Sequence, residues 1–291
     1  MQQIEQGIYF EDTYLGVTIG AMAFSHGVIA IDAPLRADDA RSWRSAMNNY
    51  RGGSNRLLVS LDAHADRTLG TRALECTIVA HQKAAQVFRN RPTIFKGLSV
   101  ETGAVWETYS DAIGMRWMPP DITFSEKMSL HWGGPEVVLE YQPGPTPGSI
   151  WVVVPEAKTV FVGDAVVINQ PPFLAQADLN AWLESLNSLL KVYSGFHIVS
   201  GRGGLAAPDD IRSLQKILKI VAEEIGQMAA SSTEPEAIHD LASKLLHKYS
   251  ASPKLRDQYA TRLRYGLYQC YVRQFLPANV IGQPEIEEEE Q

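Results

Sequence analysis

The order of elements in this chain predicts a layered α/β protein, with sheet at the centre and helices covering its outer faces. Three observations lead there. Short β-type runs dominate the first half, strands and helices alternate through the middle, and the last third is mostly long amphipathic helix. The chain has 291 residues, 45% hydrophobic and 20% charged, which is ordinary globular composition and enough for one large core or a core with a small appendage.

Taken in order, apolar runs bounded by turn residues read as strands at 8–10, 17–24, 28–32, 56–60, 77–80, 136–141, 150–154 and 159–162. A helix is expected over 37–50, after a proline-containing turn, and a short one over 71–74. Asp178 is a plausible N-cap for a helix over 179–192. Further helices are expected at 209–228, 234–249 and 253–275. Residues 90–134, with Trp106, Tyr109, Trp117, Pro119 and Pro120 among glycines and polar residues, form the least regular stretch. Such a segment either covers a pocket or packs on the surface as an insertion. A Ser-Ser-Thr-Glu-Pro break precedes the final helices, so the expected division is a main domain over 1–232 and a C-terminal helical extension with an acidic tail over 233–291.

The net charge of −7 owes part of its size to the terminal run Glu287 to Glu290, which reads as a solvated tail. Nothing in that balance points to nucleic acid or an anionic membrane surface as a partner. Cys76 and Cys270 lack any CxxC or Cys/His spacing, so neither a disulfide framework nor a zinc knuckle is indicated. The start of the chain is polar, and no apolar run approaches the ~20 residues a membrane span needs. The expectation is a soluble cytoplasmic protein.

Four segments at expected strand ends carry chemistry. The first is Ser60-Leu61-Asp62-Ala63-His64-Ala65-Asp66-Arg67, placed between an apolar strand and an expected helix start at residues 68–70. The others are Gly144-Pro145-Thr146-Pro147-Gly148-Ser149, then Val160-Phe161-Val162-Gly163-Asp164, then Ile198-Val199-Ser200-Gly201-Arg202-Gly203-Gly204. In order and spacing they resemble the metallo-β-lactamase superfamily, over roughly residues 7 to 230. The first segment is similar to that family's HxHxDH loop but reads DxHxDR. The second resembles its GHTPGS turn with Pro145 in place of the histidine, the third its strand ending in Gly-Asp, and the fourth its PGHG strand end with Arg202 where the last histidine stands.

The resemblance implies a four-layer αββα sandwich with the C-terminal helices added. Carried over position by position, it assigns one metal site to Asp62, His64 and Pro145, a second to Asp66, Arg67 and Arg202, and a bridging role to Asp164. Proline has no donor side chain, and a guanidinium is a permanent cation that does not coordinate zinc. The second site is therefore lost. Asp62, His64 and Asp164 leave at most an oxygen-rich mononuclear site for one zinc, iron or manganese ion. Without metal, Asp62, Asp66 and Asp164 would repel one another, and burying unpaired charge costs several kcal/mol each. Arg67 and Arg202 supply two fixed positive charges, so an Asp/Arg network in place of the metal centre is expected, with no cofactor.

Each of these residues also has a simpler reading. His64 and Asp66 are the catalytic candidates if the site is active; His64 is otherwise a side chain held by an aspartate, and Asp66 and Asp164 salt-bridged structural acids. Arg67 and Arg202, with Asp62 and Asp164, could bind a small anionic ligand, although three aspartates against two arginines count against it. His81 reads as structural, and Ser149 and Ser200 have no evident base. Trp106, Trp117, Phe173 and the prolines at 171 and 172 either line a cleft or close the core. Leu255, Tyr259, Leu263 and Leu267 fall on one helix face, which is core packing or a homodimer surface. Three functions follow: a hydrolase-like protein without the usual zinc pair, catalytically silent or not; a mononuclear metal hydrolase of an ester, thioester or phosphodiester; or an interaction protein using its C-terminal helices.

Overall fold

A computed structural model describes residues 1–50, 55–230 and 238–275. The acidic tail, the break before the final helices and the expected boundary near residue 233 lie outside the described residues. Thirteen strands and seven α-helices are found among those described. The first sheet runs β1 (Gln2–Glu5), β2 (Ile8–Glu11), β3 (Ile19–Phe24), β4 (Gly27–Ile31), β5 (Arg56–Val59), β6 (Thr77–His81) and β7 (Ile122–Phe124), in that order across the sheet. Its first four strands pair antiparallel through hairpins, and β4 to β7 are parallel. The second sheet holds β8 (Lys127–Leu130), β9 (Val137–Tyr141), β10 (Ile150–Val154), β11 (Thr159–Val167), β12 (His197–Arg202) and β13 (Leu205–Ala206), also as neighbours in chain order. Only β11 and β12 are parallel there, joined by helix α4 (Leu179–Val192).

The two-residue period of each strand divides it between two cores. Ile29 and Ile31 on β4 join Val152, Val154 and Phe161 in the layer between the sheets, while Val28 and Ala30 face outward. Those outward residues pack on Trp43 and Met47 of α1 (Ala37–Met47). On the other side Trp151, Val153, Val160 and Val162 pack beneath α4, α5 (Pro208–Ala230), α6 (Ile238–Leu246) and α7 (Pro253–Phe275). The result is helix, sheet, sheet, helix, as expected. At 25 cal/mol per Å², each fully buried aliphatic or aromatic side chain in these layers stabilises by about 1.5–3 kcal/mol.

Several boundaries move for identifiable reasons. The polar start of the chain is strand β1, an edge strand whose pairing with β2 outweighs its poor β propensity. Strand β11 runs on to Val167, past the expected end at residue 162, because Gly163 forms an irregularity with φ of 57° rather than a stop. The helix expected to start near Thr68 is instead a single turn, α2 (Ala65–Thr68), with His64 as its N-cap. Residues 90–134 contain β7, β8 and two short 3-10 turns, Val105–Thr108 and Ser110–Ala112. Their Phe95, Trp106 and Trp117 stack edge to face in one aromatic cluster, so the segment carries its own core. Of the four residues on the α7 stripe, Tyr259, Leu263 and Leu267 are buried within this chain and Leu255 is exposed.

Candidate functional site

The site forms where the parallel strands end. Asp32 follows β4, and Asp62 and His64 lie between β5 and α2, which itself carries Asp66 and Arg67. Asp164 lies on β11 and Arg202 closes β12. The Gly163 irregularity re-aims Asp164 toward that edge. Gly201 leaves room for it: a Cβ there would lie 2.4 Å from the Asp164 carboxylate. Asp32, Asp62, Asp66, Arg67, Asp164 and Arg202 are each no more than 3% exposed.

Arg67 is the hub. Its Nη1 donates to Asp32 Oδ2. Its Nε lies 2.8 Å from Asp62 Oδ1 and its Nη2 2.7 Å from Asp164 Oδ1, both as ion pairs whose N–H bonds are not aligned on the oxygens. Arg202 extends the network. Its Nε and Nη2 donate to the two Asp164 oxygens at 3.2 Å each, a forked pair, while Nη1 donates to Asp66 at 2.8 Å and to the Gly16 carbonyl at 3.1 Å. Asp164 thus bridges the two arginines. Backbone amides complete the set: Asp66 accepts from Val105 and Trp106 at the start of a 3-10 turn, Asp32 from Leu61, and Asp62 from His64.

These contacts decide the charge states. Burial alone would raise the carboxyl pKa of Asp66 and Asp164, but Arg202, and Arg67 in the case of Asp164, hold both below the ordinary carboxylate value. Burial would lower Arg67 and Arg202 likewise, and the facing aspartates instead hold both above the ordinary guanidinium value. Asp32 goes the other way. It is wholly buried with Leu61 and Arg67 as its donors, and burial wins, raising it to about 7. Asp32 was not among the residues singled out from the sequence, although a carboxylate ending the apolar run of β4 is the kind of signal that could have marked it.

His64 stands at the rim, 19% exposed. Its Nδ1 accepts the Asp66 amide at 3.3 Å, which caps α2 and requires that nitrogen to be unprotonated. Burial lowers its pKa as well, so the ring is a neutral cap rather than an ion-pair partner of Asp66. It lies against Phe173 with centroids 4.6 Å apart. Phe173 in turn lies 4.4 Å from the Arg202 guanidinium and 4.1 Å from that of Arg262, on α7. Arg262 is a second site residue that went unmarked in the sequence, since nothing near residue 262 resembles a motif. Half-buried Arg91 is a third, donating to the Ala63 carbonyl near Asp62. Ser149 bonds within its own turn to Thr146, and Ser200 donates to the Arg202 and Gly204 carbonyls, so both hydroxyls hold turns.

The residues at the family's metal positions do not fit a metal centre. Pro145 and the two guanidiniums offer no lone pair, the carboxylates of Asp62, Asp66 and Asp164 are engaged by Arg67 and Arg202, and Nδ1 of His64 caps a helix. Among the described residues no three His, Cys, Asp or Glu side chains are grouped so as to hold an ion. No described helix is long and apolar enough to cross a membrane.

Fold and site together define an αββα sandwich that carries fixed cations where its parallel strands end. Its residues 70–193 match the family model of the metallo-beta-lactamase superfamily, and the whole arrangement is that superfamily's fold. The chain is similar to a metallo-beta-lactamase from Pontibacter korlensis at 16% identity and a TM-score of 0.58, covering 75% of this chain and 97% of that one. The metallo-beta-lactamase DIM-1, in a structure exposed to ceftazidime, matches with the same identity and TM-score over 75% of this chain and 95% of its own. The stereoselective inverting sec-alkylsulfatase Pisa1 from Pseudomonas sp. matches at 12% identity and a TM-score of 0.65, over 94% of this chain and 49% of that one. That last likeness takes in the C-terminal helices. No curated protein matches the chain in sequence.

Proposed function

We propose that this chain is a metallo-β-lactamase-fold protein in which an Asp/Arg network stands in place of the dinuclear metal centre, so that it is a catalytically silent or metal-independent member of its superfamily. One observation carries the reading: the Arg67 guanidinium lies within ion-pair distance of Asp32, Asp62 and Asp164 at once. A cation fixed there by covalent attachment competes with any metal for the same oxygens, and displacing it would leave a buried guanidinium without a counter-charge. The alternative of a mononuclear hydrolase using Asp62, His64 and Asp164 requires that displacement.

Elemental analysis of protein purified without chelator is the test. The expected result is zinc, iron and manganese each well below one per chain, with no rise in melting temperature when those ions are added. One firmly bound ion per chain, with hydrolysis of an ester, thioester or phosphodiester that disappears in His64→Ala, overturns the proposal.

A further inference from the structure

Beside the network lies a cavity of about 540 Å³, of the size that takes a small organic ligand. Gly16, whose carbonyl accepts from Arg202, forms part of its wall. The remaining lining comes from the loop before β3, Arg36 and Asp39 at the start of α1, the 3-10 turn Val105–Thr108, Gln170 after β11, and α7 with Gln258, Tyr259 and Arg262. Arg36 and Thr108 are among the lining residues that are exposed.

Arg262 is the unusual member. It is 2% exposed, yet no carboxylate among the described residues pairs with it. Its Nε donates to the Gly103 carbonyl at 3.0 Å, and its Nη1 to Gln170 Oε1 at 2.9 Å and the Pro171 carbonyl at 3.2 Å. Those three bonds use up the hydrogens of Nε and Nη1. Nη2 has no hydrogen-bond partner among the described residues, and Phe173 and Tyr259 hold the guanidinium plane in position. Buried guanidiniums are ordinarily matched by an anion. Arg67 and Arg202, the cations marked in the sequence for an anionic ligand, each lie against aspartates at ion-pair distance; no salt bridge to Arg262 is found among the described residues.

The charge of the neighbourhood permits an anion. Counted with Arg91 and Arg262, four arginines face four aspartates, and burial raises the Asp32 carboxyl to about 7. Asp39 on the cavity wall is offset by Arg36 at the same mouth. A doubly charged phosphate would bring more charge than one free Nη2 can match. A single carboxylate fits end-on, with the neutral donors of Tyr14, Tyr259 and Gln258 and the aromatic walls left for the rest of the molecule.

The geometry points to this cavity as a binding site for a small organic monocarboxylate whose charge is received by Arg262 Nη2. It does not depend on the metal-free reading of the network, because neither Arg262 nor the cavity wall stands at a family metal position.

Calorimetric titration of the full chain with short-chain and aryl monocarboxylates, benzoate and naphthoate among them, each beside its primary amide, tests it. At least one carboxylate is expected to bind about tenfold or more tightly than its amide, as a hydrogen bond to a charged group implies. Arg262→Gln should remove that difference. Because Arg262 also holds Gly103, Gln170 and Pro171, a second variant guards against misfolding: Thr108→Trp places a large ring at the exposed mouth and should block binding while leaving Arg262 in place. The inference is overturned if no carboxylate binds better than its amide, or if Thr108→Trp or folded Arg262→Gln binds as the unaltered protein does. Metal content, read separately, reports only on the network.

Discussion

Replacing Arg67 by methionine removes the hub of the network while keeping most of its volume. Three carboxylates lose a cation, unequally. Asp164 keeps the forked pair with Arg202, Asp62 keeps the His64 amide, and Asp32 keeps only the Leu61 amide. With its carboxyl already raised to about 7, Asp32 takes up a proton rather than remain charged, which limits its share. The cost then rests on Asp62 and Asp164 and should be about 3–5 kcal/mol, the range for breaking one side of a buried ion pair. In urea unfolding this is a fall in midpoint of about 1–2 M at unchanged slope. The pH dependence is the sharper test. Removing Arg67 raises the carboxyl pKa values it had lowered, and a raised carboxylate contributes stability below its unfolded value and loses it as pH rises through the folded one. The deficit of Arg67→Met should therefore shrink as pH falls from 7 toward 5. A deficit below about 1 kcal/mol at pH 7, or one that grows on acidification, refutes the account of Arg67 as an internal counter-ion.

Three further outcomes follow from the same geometry. In the unaltered protein Asp66 and Asp164 have depressed pKa values, so their contribution is complete above about pH 4 and is lost as pH falls further; thermal melts should drop steeply there, and Asp164→Asn should flatten that limb. Arg202→Lys keeps the charge but loses the fork that spans Asp164, Asp66 and the Gly16 carbonyl, and should cost about 2–3 kcal/mol in denaturant unfolding; a neutral outcome would mean that a point charge suffices. Gly201→Ala puts a methyl group 2.4 Å from Asp164 Oδ1 and 2.4 Å from the Gly163 carbonyl carbon, so β11 and β12 must separate, at an expected cost of about 1–3 kcal/mol seen as a lower melting temperature.

The layers were legible because apolar alternation reports directly on which strand face is buried, as in Val28 to Ile31 and Ile150 to Val154. Most of the network was legible because Asp62, Asp66, Arg67, Asp164 and Arg202 stand in three of the four short segments whose order resembles one family. What escaped has physical reasons. Asp32 belongs to no motif, and only the tertiary approach of Arg67 turns a strand-end carboxylate into a network member. Arg262 is separated from Gly103 by 159 positions, so its place at the cavity follows from how α7 docks and not from any local pattern. Strand β1 is carried by its partner rather than by its own polar sequence. His64 shows the reverse limit: the sequence marks it well as a site position, but only the bond from the Asp66 amide reveals that its job is to cap a helical turn.

The long reach of these ion pairs also bears on how the chain folds. Arg202 meets Asp66 across 136 positions and Gly16 across 186, so the network closes only when both sheets are already together. Until then Arg202 and Asp164, which come from the second sheet, are apart from Asp66 and Arg67, and these cross-sheet pairs lose their hydration only after the long-range contacts form. Weakening the network should consequently speed unfolding far more than it slows folding. An internal salt made of side chains thus acts as a latch on the finished sandwich, fitted at the end of assembly and drawn from the chain itself.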